Sequence, residues 1–350
     1  MINIFTNKSG TKRKTKIICT IGPATGSELI LKKIIQEGMD IARFNFSHGK
    51  KEEFASWAKI IRTLAKRARK EIPIIQDLQG PRIRVGHLSH EGHHVDPGKN
   101  VTLNFGDDLH RSDIPVKTDL KIPLQKGHSV LIDSGLIELK VKKIEGDRVT
   151  CKVIVGGALH SGKGLNFPDT DTPEAFTEKD EDDLNFGQEI GVDYVGLSFM
   201  EEAKDVTELR EKISEKTKII SKIERPQAIE NFDEILEVSD AIMVARGDLG
   251  VEIPVEKLPF LQKRIIRRCR TSSKPVIVAT DLMASMVLAP RPTRAEVLDV
   301  ANAVLDGATA VMLSNETAIG KFPVQTVTLM RKIIEETEGF SATQELKSLL

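Results

Sequence analysis

Cysteine and aromatic residues are scarce in this chain of 350 residues, and its formal net charge is zero. The three cysteines, Cys19, Cys151 and Cys269, are widely spaced and form no CxxC pair. This pattern argues against a disulfide framework or a zinc site, and it favours a reducing compartment. Lysine plus arginine (51) balance aspartate plus glutamate (51), so the chain lacks the basic excess of a general nucleic-acid binder.

Long hydrophobic runs are also missing. No apolar segment approaches the roughly 20 residues that span a bilayer. The N-terminal segment MINIFTNKSGTKRKTK lacks the apolar stretch of a secretory signal. We therefore expect a cytoplasmic protein without nucleic-acid or membrane partners. The hydrophobic fraction of 40% is nevertheless ordinary for a globular chain that buries a core.

Eight short apolar runs recur along the chain, and each precedes a segment of helical character. Nearly continuous β-branched runs are typical of strands buried on both faces of a parallel sheet. The predicted strands are 16–21, 40–44, 73–77, 193–199, 218–223, 240–245, 275–280 and 309–314. The predicted helices are 27–36, 50–70, 177–189, 203–214, 226–236, 259–270, 293–305 and 323–336. Eight such units indicate an α/β fold, a closed (β/α)8 TIM barrel. An open doubly wound sheet is the alternative, disfavoured because no GxGxxG follows the first strand.

Residues 82–167 interrupt this alternation. Gly, Asp and Pro turns separate short alternating runs there, which predicts an all-β insertion with strands at 101–105, 129–132, 137–141 and 149–155. We thus expect a barrel domain at 1–81 and 168–340, an inserted β-barrel lid domain at 82–167 and a short tail at 341–350. Because the insertion leaves at the C-terminal end of a strand, it should cover the barrel mouth and exclude water.

Polar residues gather where the predicted strands end, at the rim where barrel enzymes carry their chemistry. In chain order they are Arg43, Asn45, Ser47, His48, Asp77, Lys222, Glu224, Arg246, Gly247, Asp248, Thr280 and Ser314. A barrel does not need charges at this rim for stability, so their convergence indicates a functional site.

Glu224 and Asp248 are the most informative pair, although either alone is more often a surface or capping residue. Two carboxylates from neighbouring strands, without His or Cys, suit a hard cation such as Mg²⁺ or Mn²⁺. Lys222 lies two residues before Glu224 and faces the same side. It is either an ion-pair partner or a cation that neutralises a transferring oxygen. Arg43 adds a bidentate anion clamp, so the set favours phosphoryl transfer.

Three further rim features have ordinary interpretations beside the functional ones. Thr280 is a plain strand-end hydroxyl or part of a proton relay. The Gly247–Asp248 turn is an ordinary tight turn or a source of backbone N–H groups for an anion. His48 is more often a hydrogen-bonding group behind a site than a catalytic base.

The motifs closely resemble those of the pyruvate kinase family. They run in family order from about Thr15 to Glu336: KTKIICTIGPAT, MDIARFNFSHG, IIQDLQGPRIRVG, LIDSGLIEL, GKGLNFP, FTEKDEDDLNFG, GVDYVGLSF, IISKIE, DAIMVARGDLGVEIP, KPVIVAT and RPTRAEVLDVANAVLDGATAVMLSNETAIGKFPV.

The resemblance implies transfer of the phosphoryl group of phosphoenolpyruvate to ADP, which gives pyruvate and ATP. It implies that Glu224 and Asp248 hold Mg²⁺ (or Mn²⁺) between the substrates. It also implies that Lys222 stabilises the moving phosphoryl group and that Arg43 grips phosphate.

The resemblance assigns the remaining groups as well. The backbone of Gly247 and Asp248 and the Thr280 hydroxyl would hold the substrate carboxylate, with Thr280 near the enolate carbon that takes a proton. The nucleotide is expected at Arg84, Lys163, Asn45 and His48.

A monovalent-cation site is implied at Asn45, Ser47, Asp77 and the backbone of Leu78. The sequence departs from the family beside it, because Arg82 replaces the acidic residue of GPEIR that potassium-dependent members carry. The fixed charge of an arginine could supply what K⁺ otherwise brings. We therefore expect that K⁺ is not required, although Arg82 as an exposed hinge residue is the alternative.

Other departures qualify the resemblance. The family usually carries a further α/β domain with sugar-phosphate effector sites after the eighth helix, whereas only 337–350 remain here. We therefore expect no activation by fructose 1,6-bisphosphate. Asn315 replaces a glycine, and Asp281 and Ala284 depart from the QMLES segment. A homodimer or homotetramer is expected through RPTRAEVLDV. A metal-dependent aldolase or lyase, and a non-catalytic relic, remain alternatives.

Overall fold

The computed structural model describes residues 13–88, 93–107, 110, 113–118, 122–171 and 176–342. The predicted tail at 341–350 lies, beyond Ala342, outside the described residues, as do the first twelve residues of the predicted barrel domain. The strands in chain order are β1 (Lys16–Thr20), β2 (Ile41–Asn45), β3 (Ile74–Asp77), β4 (Ile83–Val85), β5 (His93–Val95), β6 (Asn100–Asn104), β7 (Asp113–Lys117), β8 (Ser129–Ile132), β9 (Ile137–Glu145), β10 (Arg148–Val155), β11 (Gly157–Leu159), β12 (Gly164–Asn166), β13 (Tyr194–Leu197), β14 (Lys218–Ile223), β15 (Ala241–Ala245), β16 (Val276–Ala279) and β17 (Ala310–Leu313).

The helices alternate with the strands of the first barrel. They are α1 (Glu28–Glu37), α2 (Lys51–Ala68), α3 (Glu178–Glu189), α4 (Ala203–Lys212), α5 (Pro226–Glu230), α6 (Phe232–Val238), α7 (Arg246–Glu252), α8 (Leu258–Thr271), α9 (Arg294–Asp306), α10 (Asn315–Ala318) and α11 (Pro323–Ala342), with 3₁₀ turns at Val255–Lys257 and Ala284–Val287. Among the described helices, none has the length and apolarity needed to cross a membrane.

A closed barrel of eight parallel strands confirms the predicted fold class. Its order around the barrel is β1-β17-β16-β15-β14-β13-β3-β2. Alternate side chains of each strand point in and out, as in β14, where Ile220 belongs to the interior cluster and Ile219 packs against the helices. Both directions are apolar, which explains why the predicted strands read as continuous hydrophobic runs.

The segment between β3 and α3 forms a second closed barrel of the strands β10-β6-β7-β4-β12-β8-β9, with β5 and β11 paired separately. It has its own apolar core, which includes Leu103, Val130, Leu139 and Cys151. Most pairs are antiparallel, although β6 and β7 run parallel. The sequence predicted only four of these strands. The three-residue strands β4, β5, β11 and β12 are too short to show alternation, and β7 contains Pro115, which is unusual within a strand.

Helix ends follow the capping signals in the sequence. The Ser27 hydroxyl accepts a hydrogen bond from the Ile30 amide at the start of α1, and Gly38 ends that helix at φ 130°. Thr177 and Asp180 form a reciprocal capping box at the start of α3. Each cap lies at the first residue of the corresponding predicted helix.

Two predicted helices differ from the structure. The segment 226–236 is divided into α5 and α6 at Asn231, whose side-chain amide donates to the Glu201 carbonyl 2.9 Å away and so turns toward the neighbouring loop. The last helix, expected to end at Glu336, continues to Ala342 because no proline or glycine cap stops it there.

Candidate active site

The C-terminal ends of the eight parallel strands surround one cavity of about 570 Å³. Neighbouring strands are in register at this level, with Thr20 beside Arg43 and Asn45 beside Asp77. The cavity brings together most residues predicted from the sequence: Arg43, Asn45, Ser47, His48, Asp77, Leu78, Arg82, Lys222, Asp248, Thr280 and Ser314. Glu224, Arg246 and Gly247, which the strand-end pattern also predicted, are not among the residues that line this cavity.

Asp77 is a buried residue of this cavity that contacts two cationic side chains. Its Oδ2 accepts from Nε of Arg43 at 2.6 Å, and its Oδ1 lies 3.0 Å from Nζ of Lys222. Burial alone would raise the pKa of this carboxyl, yet Arg43 and Lys222 hold it below its usual range. Asp77 is therefore ionised at neutral pH and fixes both cations. The sequence placed Asp77 at the rim and, through the resemblance, in a monovalent-cation site, but it did not predict these two contacts.

Lys222 has three polar partners, which use all the N–H donors of its ammonium group. Besides Asp77 they are Oε1 of Glu224 at 2.9 Å and Oγ of Ser198 at 2.6 Å. Burial favours a lower pKa for Lys222, but the charges of Asp77 and Glu224 outweigh it and raise the pKa. Lys222 is thus a fully charged ammonium beside carboxylates, which is the first of the two interpretations that the sequence left open.

Glu224 is buried, with 1% of its surface exposed. Its Oε2 accepts from the Phe199 amide at 2.8 Å. Burial raises its pKa, Lys222 opposes that shift, and the nearby charge of Asp248 adds to it. The strands that precede the two carboxylates are neighbours in register, with Ile223 beside Val244, so Glu224 and Asp248 follow adjacent strands at the same end of the barrel.

Asp248 lies in the first turn of α7, directly after β15. Its Oδ1 lies 3.1 Å from Nη2 of Arg82, at the start of the inserted segment. The described residues contain no group of three or more His, Cys, Asp or Glu side chains arranged around a metal position. Two carboxylates with remaining positions for water and substrate oxygens fit Mg²⁺, which commonly binds through few protein ligands. The donor set therefore fits the predicted cation.

Thr280 follows β16 in a left-handed conformation, φ 68°, which is unusual for a β-branched residue. Its hydroxyl donates to the Ala279 carbonyl at 2.7 Å, and Gly247 lies opposite, where an added Cβ would be 3.5 Å from that hydroxyl oxygen. Arg246 donates to the Thr280 carbonyl and forms two hydrogen bonds with Asp299, at 2.8 and 2.7 Å. The sequence placed Arg246 at the rim but missed Asp299, since no local pattern joins residues on different units.

The four residues of the predicted monovalent-cation site lie together. Asn45 Oδ1 accepts from the Ser47 amide at 3.2 Å, and Asn45 pairs with Asp77 across β2 and β3. The Leu78 carbonyl accepts from Ser198 Oγ at 2.7 Å. Arg82 enters the same cavity, where its described ion-pair partner is Asp248 and its guanidinium lies 6.0 Å from the Phe199 ring centroid.

The predicted nucleotide residues of the insertion lie on paired strands or next to them. Arg84 in β4 pairs with Gly164 in β12, and its Nη1 donates to the Gly162 carbonyl at 3.0 Å. Lys163 forms an ion pair with Asp133 at 2.8 Å. Burial and then the charges of Arg84, Arg82 and Arg43 lower the pKa of His48. At neutral pH His48 is therefore uncharged.

Comparison with known proteins agrees with this geometry. The family model for the pyruvate kinase barrel domain matches residues 12–327. Pyruvate kinase from Agrobacterium vitis is 46% identical over 334 residues, which cover 94% of this chain and 70% of that protein. Pyruvate kinase from Thermococcus litoralis is 45% identical over 333 residues, 93% of this chain and 70% of that protein. Pyruvate kinase from Mycobacterium tuberculosis H37Rv is 43% identical over 329 residues, 92% and 70% of the two chains.

The barrel and its similarity to these enzymes define a phosphotransferase. The chain belongs to the pyruvate kinase family, and the predicted family is confirmed.

Proposed function

We propose that this protein transfers the phosphoryl group of phosphoenolpyruvate to ADP at the mouth of the parallel barrel. The observation that carries the proposal is the buried cluster in which Lys222 contacts Asp77 and Glu224 while Arg43 contacts Asp77. Two fixed cations beside a pair of carboxylates suit the charge that develops on a transferring phosphoryl group.

Arg43 binds the substrate phosphate in this mechanism. Its Nε and Nη1 are held by Asp77 and by Thr20 Oγ1, at 2.6 and 2.9 Å. In the described part of the chain Nη2 has no protein acceptor, and Arg43 lines the cavity, so Nη2 can donate to a phosphate oxygen. The clamp by Asp77 fixes the guanidinium plane before substrate binds, which reduces the entropy lost on binding.

Lys222 stabilises the phosphoryl group during transfer. Because its three donors are already used, one protein partner must give way when a phosphoryl oxygen approaches. Glu224 is the partner to leave, since its carboxylate and that of Asp248 would hold the divalent cation. Mg²⁺ or Mn²⁺ supplies positive charge to the oxygens of both substrates when it is bound.

The chemical balance requires one proton at carbon, and we assign its delivery to Thr280. The bond between phosphorus and the enol oxygen breaks, a bond to the terminal phosphate oxygen of ADP forms, and the enolate carbon takes one proton to give pyruvate. The backbone N–H groups of Gly247 and Asp248 hold the carboxylate, and the Thr280 hydroxyl passes the proton to carbon. Its position opposite Gly247 supports this role.

Arg84 and Lys163 hold the nucleotide phosphates, next to Asn45 and His48. The support is that the charge of Arg84 acts on His48, which lines the cavity at the barrel mouth. Closure of the insertion would then exclude water from the transfer.

We further propose that turnover does not require K⁺. Arg82 lines the same cavity as Asn45, Ser47, Asp77 and Leu78, so a permanent positive charge is already present. Assays at equal ionic strength in K⁺, Na⁺ and tetramethylammonium test this, and we expect comparable rates in all three. A strict dependence on K⁺ would refute it.

The decisive experiment measures pyruvate from phosphoenolpyruvate with and without ADP and Mg²⁺. Lys222→Met and Glu224→Ala should each lower kcat by at least about 100-fold, because they remove charge stabilisation at the transferring group. Lys204→Met is the matched control, since Lys204 is an exposed helical residue with one weak ion pair. Unchanged activity of Lys222→Met would refute the assignment, and carbon–carbon cleavage without ADP would favour an aldolase or lyase.

We also propose a cytoplasmic homodimer or homotetramer. The large apolar side chains of Phe260 in α8 and Leu298 in α9 are 73% and 64% exposed, which supports an interface on this face. The three free, buried thiols support a reducing compartment. Light scattering on the purified protein tests the oligomeric state, and a monomer at micromolar concentration would refute it.

A further inference from the structure

Both connections between the insertion and the barrel contact one short helix. Arg82 precedes β4, where the chain enters the insertion, and its Nη2 lies 3.1 Å from Asp248. Asn166 ends β12, where the chain returns, and its Nδ2 donates to Oε1 of Glu252 at 2.7 Å. Asp248 and Glu252 are four residues apart in α7, so they lie on the same face of that helix.

The Arg82 contact is exposed enough to exchange. The side chains of Arg82 and Asp248 are 33% and 22% exposed, and both line the central cavity. Such partly solvated ion pairs contribute little stability, so a competing cation can separate them at small cost.

The Asn166 contact is different because it is buried. Asn166 and Glu252 are 8% and 5% exposed. Beneath them Arg225 Nη1 lies 3.7 Å from Glu252, and Arg225 Nη2 donates to the Thr170 carbonyl at 2.6 Å, in the chain that returns from the insertion. Separating these groups would leave polar atoms unsatisfied, which costs more than breaking an exposed pair. This second contact therefore persists.

We propose that α7 anchors the insertion at two points of unequal strength, and that a divalent cation binding at Asp248 displaces Arg82 from it. The contact between Asn166 and Glu252 then remains as the pivot. This inference rests on the proposed metal role of Asp248. Arg82 then acts as a counter-ion that is part of the chain. It neutralises Asp248 in the metal-free protein and separates from Asp248 when the metal binds.

The physical reason is competition for one carboxylate. Arg82 and the metal are both positive, so each lowers the affinity of Asp248 for the other. Linkage makes the effect reciprocal: the ion pair weakens metal binding by the same factor by which metal weakens the ion pair. Metal occupancy would in this way free one of the two connections of the insertion before nucleotide binds.

The test measures Mn²⁺ affinity without substrates, by the electron paramagnetic resonance signal of free Mn²⁺. Arg82→Leu should bind Mn²⁺ about two- to five-fold more tightly than the wild type, the range expected from losing a partly exposed ion pair. Arg82→Gln, a second neutral variant, should behave alike, and Arg82→Lys should retain wild-type affinity because it keeps the charge.

Two controls separate competition from other causes. Asn166→Leu loosens the other connection without touching the metal ligand, so its Mn²⁺ affinity should not increase. Arg268→Leu removes the same charge from an exposed pair with Asp233 and should have no effect. Circular dichroism checks that each variant is folded.

Unchanged or weaker Mn²⁺ binding by both neutral Arg82 variants would overturn the proposal. So would an equal increase in Asn166→Leu, since general loosening would then be the cause. A wild-type protein that binds no Mn²⁺ would also overturn it. Pyruvate formation from phosphoenolpyruvate and ADP is measured separately, so failure of the displacement and failure of the proposed activity give different results.

Discussion

Replacing Asp77 by asparagine tests the electrostatics of the cavity floor. Asp77 is 1% exposed and contacts Arg43 Nε and Lys222 Nζ. Asparagine has nearly the same shape and can still hydrogen bond, but it carries no charge. The variant therefore leaves two buried cations with Glu224 as the nearby carboxylate.

The expected loss of unfolding free energy is about 3–5 kcal/mol, the range found when one partner of a buried ion pair is removed. The free energy of unfolding of native domains is about 5–15 kcal/mol, so we expect the variant to fold but to be much less stable than the wild type. The pKa of Asp77 in the folded protein is below its ordinary value. Its contribution is therefore fully present above about pH 3.9 and is lost as the pH falls below that value through the folded pKa.

Guanidinium unfolding followed by tryptophan fluorescence is the assay, because the chain has a single tryptophan. Trp57 lies in α2, packed near Phe44 and Phe54, and so reports on the parallel barrel. Asp182→Asn is the matched control: its carboxylate is 75% exposed and pairs with Lys51, so its loss should cost less than about 1 kcal/mol.

Adding Arg43→Met to Asp77→Asn removes the cation whose described ion-pair partner was Asp77, whereas Lys222 keeps its contact with Glu224. The double variant should be at least about 1 kcal/mol more stable than Asp77→Asn alone, since an unpaired buried charge costs more than an apolar side chain. If Asp77→Asn matches the Asp182→Asn control, or if the second substitution simply adds to the loss, the charge argument is wrong.

Three further predictions concern packing, capping and thiol reactivity. An alanine Cβ at Gly187 would lie 2.0 Å from the buried Oε1 of Gln76, whereas at Gly339 in α11 nothing lies within 4 Å. Thermal unfolding should therefore show a loss of about 1–3 kcal/mol for Gly187→Ala and a gain of about 0.5–1 kcal/mol for Gly339→Ala; a gain at both sites would contradict this. Thr293→Ala removes the hydroxyl that accepts from the Glu296 amide at the start of α9 and should cost about 0.5–2 kcal/mol, whereas Thr293→Ser should cost little. Burial raises the pKa of Cys151 and of Cys269 to about 12 and also raises that of Cys19, so a thiol reagent at pH 8 should label the native protein far more slowly than the denatured one, which has three thiols. Rapid labelling of the native protein would contradict the burial of these side chains.

The barrel could be predicted because each of its strands is a nearly continuous apolar run that can be recognised in the sequence alone. Strand 218–223 was predicted with the bounds of β14, and other ends differ by a residue or two. Thr280 was assigned to a strand, but β16 ends at Ala279. The left-handed backbone of Thr280 depends on Arg246 and on the turn that follows, which no strand propensity encodes.

The site was predictable where spacing alone brings groups together. Lys222 and Glu224 are two residues apart in one strand, so they had to share a face. The contacts of Asp77 with Lys222 and of Arg246 with Asp299 join residues far apart in the chain, the latter 53 residues apart. Such pairs depend on the order and register of the strands, which a single sequence does not reveal.

Three carboxylates and three cations at the barrel mouth form ion pairs with one another. Asp77 contacts Arg43 and Lys222, Glu224 contacts Lys222, and Asp248 contacts Arg82. Buried charges persist only when they are compensated, so the protein balances this site internally before any ligand binds. Phosphoenolpyruvate and ADP both bring negative charge, and a divalent cation at Glu224 and Asp248 would offset part of it. Freed from those carboxylates, Lys222 and Arg82 could then turn toward the substrate anions. Ligand exchange at two carboxylates is thus enough to convert a closed set of ion pairs into a site for anionic oxygens.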